Sequence, residues 1–452
     1  MTDLVLNNCE IIDPIDGIYS GNIGIKDGEI VSVSQEKHSA EEVIDLKGMQ
    51  VSPGFIDIHV HENKIIGDKV DLTTFEYGTK MGVTTAIAGN CGMNLSDQSV
   101  EEYFKELETT NLPLNLMSFI GYGFLRDQLG YSEKDRLQQK DLPKLKNHLF
   151  KNMDAGACGI SLGLEYTPGV STEEIIHLGR FLSENYPDKL LTAHYRYDAG
   201  RSLESIAEMI IVARETGVPF QISHIGSCAA FGQMKAALEM IAAANNAGVD
   251  VMADVYPYAA FSTFIGSEVF APGCFERWDK SYDSLLVVNG RYQGQRCTEE
   301  IFNELREKEP NTLIAAFVME EREVRKAIQY PEMLVASDAL ISDGGGHPRG
   351  SGTFPRLLGK YVREESALDL QEAIAKITLM PAQRMGLSKK GRIKSGYNAD
   401  LTVFSKEEII DNSTYQDPLQ EPDGIKHVIV KGCFTLKDGK YQGGGAGRVI
   451  RV

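Results

Sequence analysis

Nine histidines occur in this chain, and two of them, His59 and His61, close the apolar run VSPGFIDIHVH at residues 51–61. On a strand, positions two apart face the same side, so both imidazoles can reach one site. Four more metal-competent side chains stand in comparable places, each after an apolar run and before a polar or glycine-containing segment. They are Cys91 in AGNCGMN, His194 in LLTAHYRYD, His224 in FQISHIGS and Asp338 in VASDAL. Imidazole and thiolate are donors that zinc favours, and a carboxylate completes a hydrolytic set. A bound zinc lowers the pKa of its water to ~7. Asp338 is then the candidate to take that proton and return it to a departing amine. Each residue alone also has a plainer reading: a structural histidine, a small buried cysteine, an aspartate that caps a helix. Their order, with HxH first, an acid last and histidines on two strands between, favours the joint reading.

Such groups need a scaffold that brings distant segments together. Eight strand-like runs fit: GFIDIHVH, TTAIAGN, NLMSFIG, ACGISLGL, LLTAHYR, PFQISHI, VMADVYPY and MLVASDAL. Helical stretches such as STEEIIHLGRFLSENY and SLESIAEMIIVARETG alternate with them. The alternation predicts an α/β fold built on a parallel (β/α)8 barrel, whose catalytic groups sit at the C-terminal ends of the strands. An open doubly wound sheet is the alternative, but no GxGxxG follows an early strand. The barrel is expected over residues 51–388, with an inserted, lid-like segment at about 262–330. Residues 1–50 read as a β-meander, and the same texture returns over 389–452 in NADLTVFS, HVIVKGCFTLKDGKYQG and GRVIRV. Both ends are therefore expected to pair into one small β-sandwich domain.

The 64 acidic and 46 basic residues give a net charge of -18. That argues against nucleic acid or an anionic membrane surface as a partner. Seven cysteines do not form an evident disulfide framework. No basic n-region with an apolar stretch opens the chain, and no window approaches the ~20 apolar residues of a membrane span. A cytoplasmic protein with reduced thiols is expected; the oligomeric state is not legible.

PGFIDIHVH, GVTTAIAGNCG, GISLGLEYTPG, AHYRYD, QISHIG, DVYPYAAFST, ASDAL, HPRGSGTFPRLLGKYVRE and MPAQRMGL, followed by GRIKSGYNADLTVF, resemble the amidohydrolase superfamily and, within it, the N-acyl-D-amino-acid deacylases. The resemblance implies zinc-dependent hydrolysis of a small N-acylated amino acid. It implies that Cys91, His194 and His224 hold a tightly bound zinc, with Cys91 as the bridging group. His59, His61 and Asp338 then form a second, weaker position whose filling is left open, Asp338 being also the general acid/base. Arg349 in the HPR element is implied to hold the substrate carboxylate, helped by Tyr256, Tyr258 and Ser262. Forked guanidinium donors suit that task.

Tyr166 and Glu165 stand at another strand end and are expected to line the pocket, or in the case of Glu165 to support a ligand from behind. Two departures from the family pattern bear on substrate choice: Ile225-Gly226 replaces a leucine-lysine pair, and Glu62 follows the HxH where aspartate is common. His38, His148, His177 and His427 read as surface or packing residues, and His347 earns interest through its neighbour Arg349. One alternative keeps the metal site but opens a cyclic amide, as dihydroorotases and hydantoinases do. A catalytically silent scaffold is the other, and it should have lost ligands that this chain retains.

Overall fold

The computed structural model describes residues 2–36, 39–63, 65–66 and 69–452; His38 lies outside them. Eight short strands make the barrel: β1 (Phe55–Asp57), β2 (Val83–Ala88), β3 (Asn115–Ser118), β4 (Gly159–Gly163), β5 (Leu190–His194), β6 (Phe220–Ile222), β7 (Val251–Val255) and β8 (Met333–Val335). Neighbours pair in parallel from β1 to β3 and from β4 to β8. Ile120–Gly121, which continues β3 past Phe119, pairs with β4. The ring closes between β8 and β1, where Asp338 N–H donates to the His59 carbonyl at 2.8 Å and His61 N–H to Ala339 at 2.9 Å. Nearly every strand residue is buried, as expected where helices cover one face and packed side chains fill the other. This is the predicted barrel.

Seven helices return the chain between strands, α1 (Thr73–Lys80), α2 (Val100–Glu108), α3 (Leu142–Asp154), α4 (Thr172–Asn185), α5 (Ser202–Thr216), α6 (Met234–Asn246) and α7 (Glu321–Gln329), and α8 (Leu370–Ile377) follows β8. Their starts follow local rules. Ser99 and Glu102 form a reciprocal capping box at α2, and the Ser171 hydroxyl accepts from Glu174 N–H at α4. Gly217 ends α5 in a left-handed conformation that its missing Cβ makes cheap.

Strands from both ends hydrogen-bond into one nine-stranded sheet. Alternate side chains serve two cores: Leu401, Val403 and Ile429 pack with Leu6, Ile11 and Ile25, whereas Phe404, Val428 and Val430 face the barrel-side core. GRVIRV departs from expectation and does not join this sheet. It runs along β3, with Leu116 N–H donating to Arg448 at 2.9 Å and Ile450 N–H to Leu116 at 2.8 Å. The break at Phe119 leaves this stretch of β3 without a partner strand on one side, and the tail satisfies its backbone groups there.

Between β7 and α7 the chain forms a separate antiparallel sheet of Phe261–Phe264, Leu313–Ala316 and Leu285–Val287, with helices Cys274–Trp278 and Glu299–Lys308. This sheet ends at Ala316 rather than near 330. The remainder, α7, packs on the barrel, because Val324, Ala327 and Ile328 make one buried face.

Candidate metal centre

The β1 strand delivers His59 and His61 at the barrel mouth, held by Asp57. The Asp57 carboxylate accepts from Ser337 N–H at 3.0 Å and from the Ser337 hydroxyl, tying β1 to β8 just below the site. Burial pushes its pKa up to about 7, against the opposing hydrogen bonds from Ser337. Cys91 follows β2 in a tight loop at φ 55°. Glu62 supports that loop by accepting Gly89 N–H at 3.0 Å. Any Cβ at Gly163 would lie 2.2 Å from the Cys91 carbonyl, so glycine there lets the loop press against β4. His194 ends β5. His224 and Asp338, after β6 and β8, take φ of 33° and 51°. Three of the six predicted donors thus sit in the left-handed region that β-carbons disfavour, a cost of order 1–3 kcal/mol each that surrounding bonds must offset.

The six side chains converge. Donor atoms of His59, Cys91, His224 and Asp338 all lie within 4.8 Å of one another. Cys91 Sγ is 3.3 Å from both His59 Nε2 and His224 Nε2. His61 Nε2 is 3.1 Å from Asp338 Oδ1, and His194 Nδ1 is 3.0 Å from His224 Nε2. The two expected ligand sets are therefore not separate in space; the Cys91 sulfur touches members of both. All six residues are between 1% and 7% exposed. Electrostatics follow from that burial. Desolvation opposes ionisation of the Cys91 thiol, but the His59 and His224 rings outweigh it and hold its pKa well below the ordinary thiol value. Desolvation likewise opposes charge on His61 and His194, yet Asp338 and Cys91 raise His61, and Cys91 and Glu165 raise His194, each to about 9. Asp338 stays ionised against burial because Arg349 and His59 face it.

Ligand distances of ~2.0–2.3 Å around one zinc place its donors roughly 3–4.5 Å apart. The spacing and the N, S and O donors fit such an ion. Asp254 from β7 orients the site from behind. Its Oδ1 accepts His224 N–H at 2.8 Å and stands 3.3 Å from His59 Nδ1, while Oδ2 accepts from Gln221 at 3.0 Å. Ser227 Oγ lies 2.9 Å from His224 Nδ1.

Arg349 begins the helix Arg349–Arg356 and reaches the centre, with Nη1 2.9 Å from Asp338 Oδ2 and Nη2 donating to the Ser262 carbonyl at 3.2 Å. Among the described residues its Nε and the Ser262 hydroxyl are buried without hydrogen-bond partners. Tyr256 lies beneath the guanidinium at 4.6 Å. Tyr258 is directed elsewhere. Its hydroxyl meets Asp411 at 3.2 Å and the Pro348 carbonyl at 3.4 Å, because the half-buried Arg356–Asp411 pair lies on that side. Tyr166 packs on His194 with ring centres 4.4 Å apart and bonds Thr263 of the insertion at 3.1 Å. His347 accepts Arg349 N–H on Nδ1 at 3.0 Å and lines the same cavity; burial and Arg349 keep it neutral. That inner cavity is ≈ 30 Å³, walled by Met93, Leu95, Phe264, Leu313 and Leu340 beside the polar groups. A cleft of ≈ 530 Å³ adjoins it, sharing Cys91, Met93 and Tyr166.

A (β/α)8 barrel with imidazole, thiolate and carboxylate donors converging at its strand ends defines the class of metal-dependent barrel hydrolases. Sequence comparison agrees. The profile of the Amidohydrolase family matches residues 327–435. An N-acyl-D-glutamate deacylase of Alcaligenes xylosoxydans xylosoxydans is 31% identical, covering 96% of this chain and 93% of the relative. A D-aminoacylase of the same organism is 29% identical, covering 95% and 93%. The crystal structure of an N-acyl-D-glutamate deacylase from Bordetella bronchiseptica, complexed with zinc and a phosphonate mimic of the tetrahedral intermediate, superposes over 100% of both chains with a TM-score of 0.89 at 27% identity. The chain belongs to the amidohydrolase family, in the branch of the N-acyl-D-amino-acid deacylases.

Proposed function

We propose that the chain hydrolyses the amide bond of N-acyl-D-amino acids with a tightly bound zinc held by Cys91, His194 and His224, and with His59, His61 and Asp338 forming a second, weaker metal position. The observation that carries this reading is the meeting of His61, Cys91, His224 and Asp338 with Arg349 and Ser262 at one cavity, with His59 clustered beside them. When bound, zinc supplies Lewis acidity toward the amide carbonyl and a water acidic enough to ionise near neutral pH. Asp338, ionised and within reach of His59, His61 and Arg349, accepts the proton of the attacking water and hands it to the leaving nitrogen. Arg349 turns its Nε, and Ser262 its hydroxyl, both without a hydrogen-bond partner among the described residues, to the substrate carboxylate. Tyr166 forms the wall beside His194. The D configuration comes from the names of the relatives.

The side chain accepted is uncharged. Among the described residues Arg349 is the one guanidinium or ammonium group lining the inner cavity, with the His61 imidazole beside it, and Met93, Leu95, Phe264, Leu313 and Leu340 give the wall an apolar side. Position 226 supplies no second cation. A Cβ on Gly226 would meet Met319 Cε at 3.1 Å and Val255 Cγ2 at 3.3 Å, inside apolar packing. Residues 51–388 are read as the catalytic barrel and the flanking segments as its supporting sheet domain. Among the described residues no helix is long and apolar enough to cross a membrane. All seven cysteines are free, which supports work in a reducing cytoplasm.

The test is a parallel assay of the zinc-loaded protein on N-acetyl-D-leucine, N-acetyl-D-glutamate, their L forms, hydantoin and dihydroorotate. Cleavage of N-acetyl-D-leucine above the others is expected; exclusive ring opening contradicts the reading.

A further inference from the structure

Behind His194 a line of charged groups, two buried carboxylates and a partly exposed arginine, leads away from the metal centre and into the insertion. His194 turns Nδ1 toward His224 and places Nε2 3.1 Å from Glu165 Oε2. Glu165 Oε1 lies 3.3 Å from Arg277 Nη2, and Arg277 Nε lies 2.8 Å from Asp198 Oδ1. Among the described residues neither of those two carboxylate oxygens has another hydrogen-bond partner. Arg277 belongs to the short helix Cys274–Trp278 of the insertion. The next residue, Trp278, donates its indole N–H to Asp198 Oδ2 at 2.7 Å. A further bond from Arg277 to the Val269 carbonyl, 2.8 Å long, fixes the guanidinium from the insertion side. Glu165 is 6% exposed and Asp198 1%. Two carboxylates so buried require a counter-charge, and Arg277 pairs with both.

A metal-binding imidazole commonly donates its second N–H to a carboxylate, which sets the tautomer and the ring orientation. Here the carboxylate is itself held by the insertion. We propose that Arg277 is a positioning residue: it keeps Glu165 against His194 Nε2–H, so that His194 Nδ1 is the nitrogen left free for the metal. The inference rests on the zinc-site reading above. It makes the insertion a structural part of the metal centre rather than a cover laid over a finished site.

The test uses the full-length zinc-loaded protein and measures zinc affinity by competition with a chromophoric chelator, beside thermal melting. Arg277→Met is expected to weaken zinc binding by about 10–100-fold, the usual effect of losing an outer partner of a metal ligand. Arg277→Lys restores most of that affinity, and Lys280→Ala, an exposed change on the same insertion, has none of the effect. Glu165→Gln, which keeps shape but removes the charge, weakens zinc in the same direction and carries the test if Arg277→Met fails to fold. Wild-type zinc affinity in folded Arg277→Met or Glu165→Gln overturns the proposal. So does an Arg277→Lys protein as weak as Arg277→Met, since the loss then reports packing and not charge. Arg277-dependent zinc affinity in a protein that cleaves no N-acyl-D-amino acid sustains this inference while the functional reading falls. A wild-type protein that binds no zinc overturns both.

Discussion

The mouth of the barrel and the sheet made from the two chain ends are buried to similar degrees and built on opposite terms. Around the mouth, His59, Cys91, His194, His224, Asp254 and Asp338 bury ionisable groups, three of the donors with left-handed backbone. In the terminal sheet the core is Leu4, Leu6, Ile11, Ile23, Val51, Leu401, Val403 and Ile429, with alternation in register. One region holds charge and strain in place for chemistry, and the other supplies apolar burial. The comparison teaches that substitutions at the mouth should cost activity or metal, and substitutions in the sheet should cost stability.

The sharpest way to break the contrast is Asp338→Asn. Turnover is expected to fall by roughly 10²–10⁴-fold, the usual contribution of a general acid/base, with zinc still present by metal analysis; near-normal kcat rejects the proton-transfer role. Asp254→Asn acts one layer further out. Weakening the carboxylate that serves both His59 and His224 should lower zinc affinity by roughly 10–100-fold, measured by chelator competition, without moving KM as strongly as Arg349→Lys does.

On the other side of the comparison, Ile429→Ala removes a fully buried side chain from the terminal core. It is expected to cost about 2–5 kcal/mol by denaturant titration and to leave kcat within about twofold, since among the described residues that core contains no site residue. The smallest effect is the most diagnostic of electrostatics in the sheet. Burial would raise the Asp13 carboxyl, but Arg392 and three backbone N–H groups outweigh it and lower its pKa. The stabilisation is therefore complete above the ordinary carboxylate pKa and is lost as pH falls through the lowered value. Asp13→Asn should cost about 1.5–3 kcal/mol near neutrality and flatten the acid side of a melting-temperature profile; an unchanged profile would show the pair to be idle.

Much of the barrel was legible because its strands are short apolar runs, and the six candidate donors stand at the ends of five of them, β1, β2, β5, β6 and β8. Residues acting across the ring were not. Asp57 and Ser337 are 280 positions apart, and Asp254 sits inside the run VMADV, where an acid reads as a break in apolar pattern rather than as a partner for two imidazoles. Arg277 and Asp198 meet through the insertion, whose path no periodicity reveals. GRVIRV had strand texture, but texture does not name a partner, and the free side of β3 took it. Tyr258 shares its segment with Tyr256, yet the Arg356–Asp411 pair draws its hydroxyl the other way.

The central claim is that one divalent ion is gathered by groups delivered from separate strands. It is tested most directly by anomalous diffraction at the zinc absorption edge from crystals of protein purified without chelator. The account predicts a peak at ~2.3 Å from Cys91 Sγ and ~2.0–2.1 Å from imidazole nitrogens of this cluster. A zinc-replete crystal with no peak there, or with its peak bounded by other side chains, contradicts it.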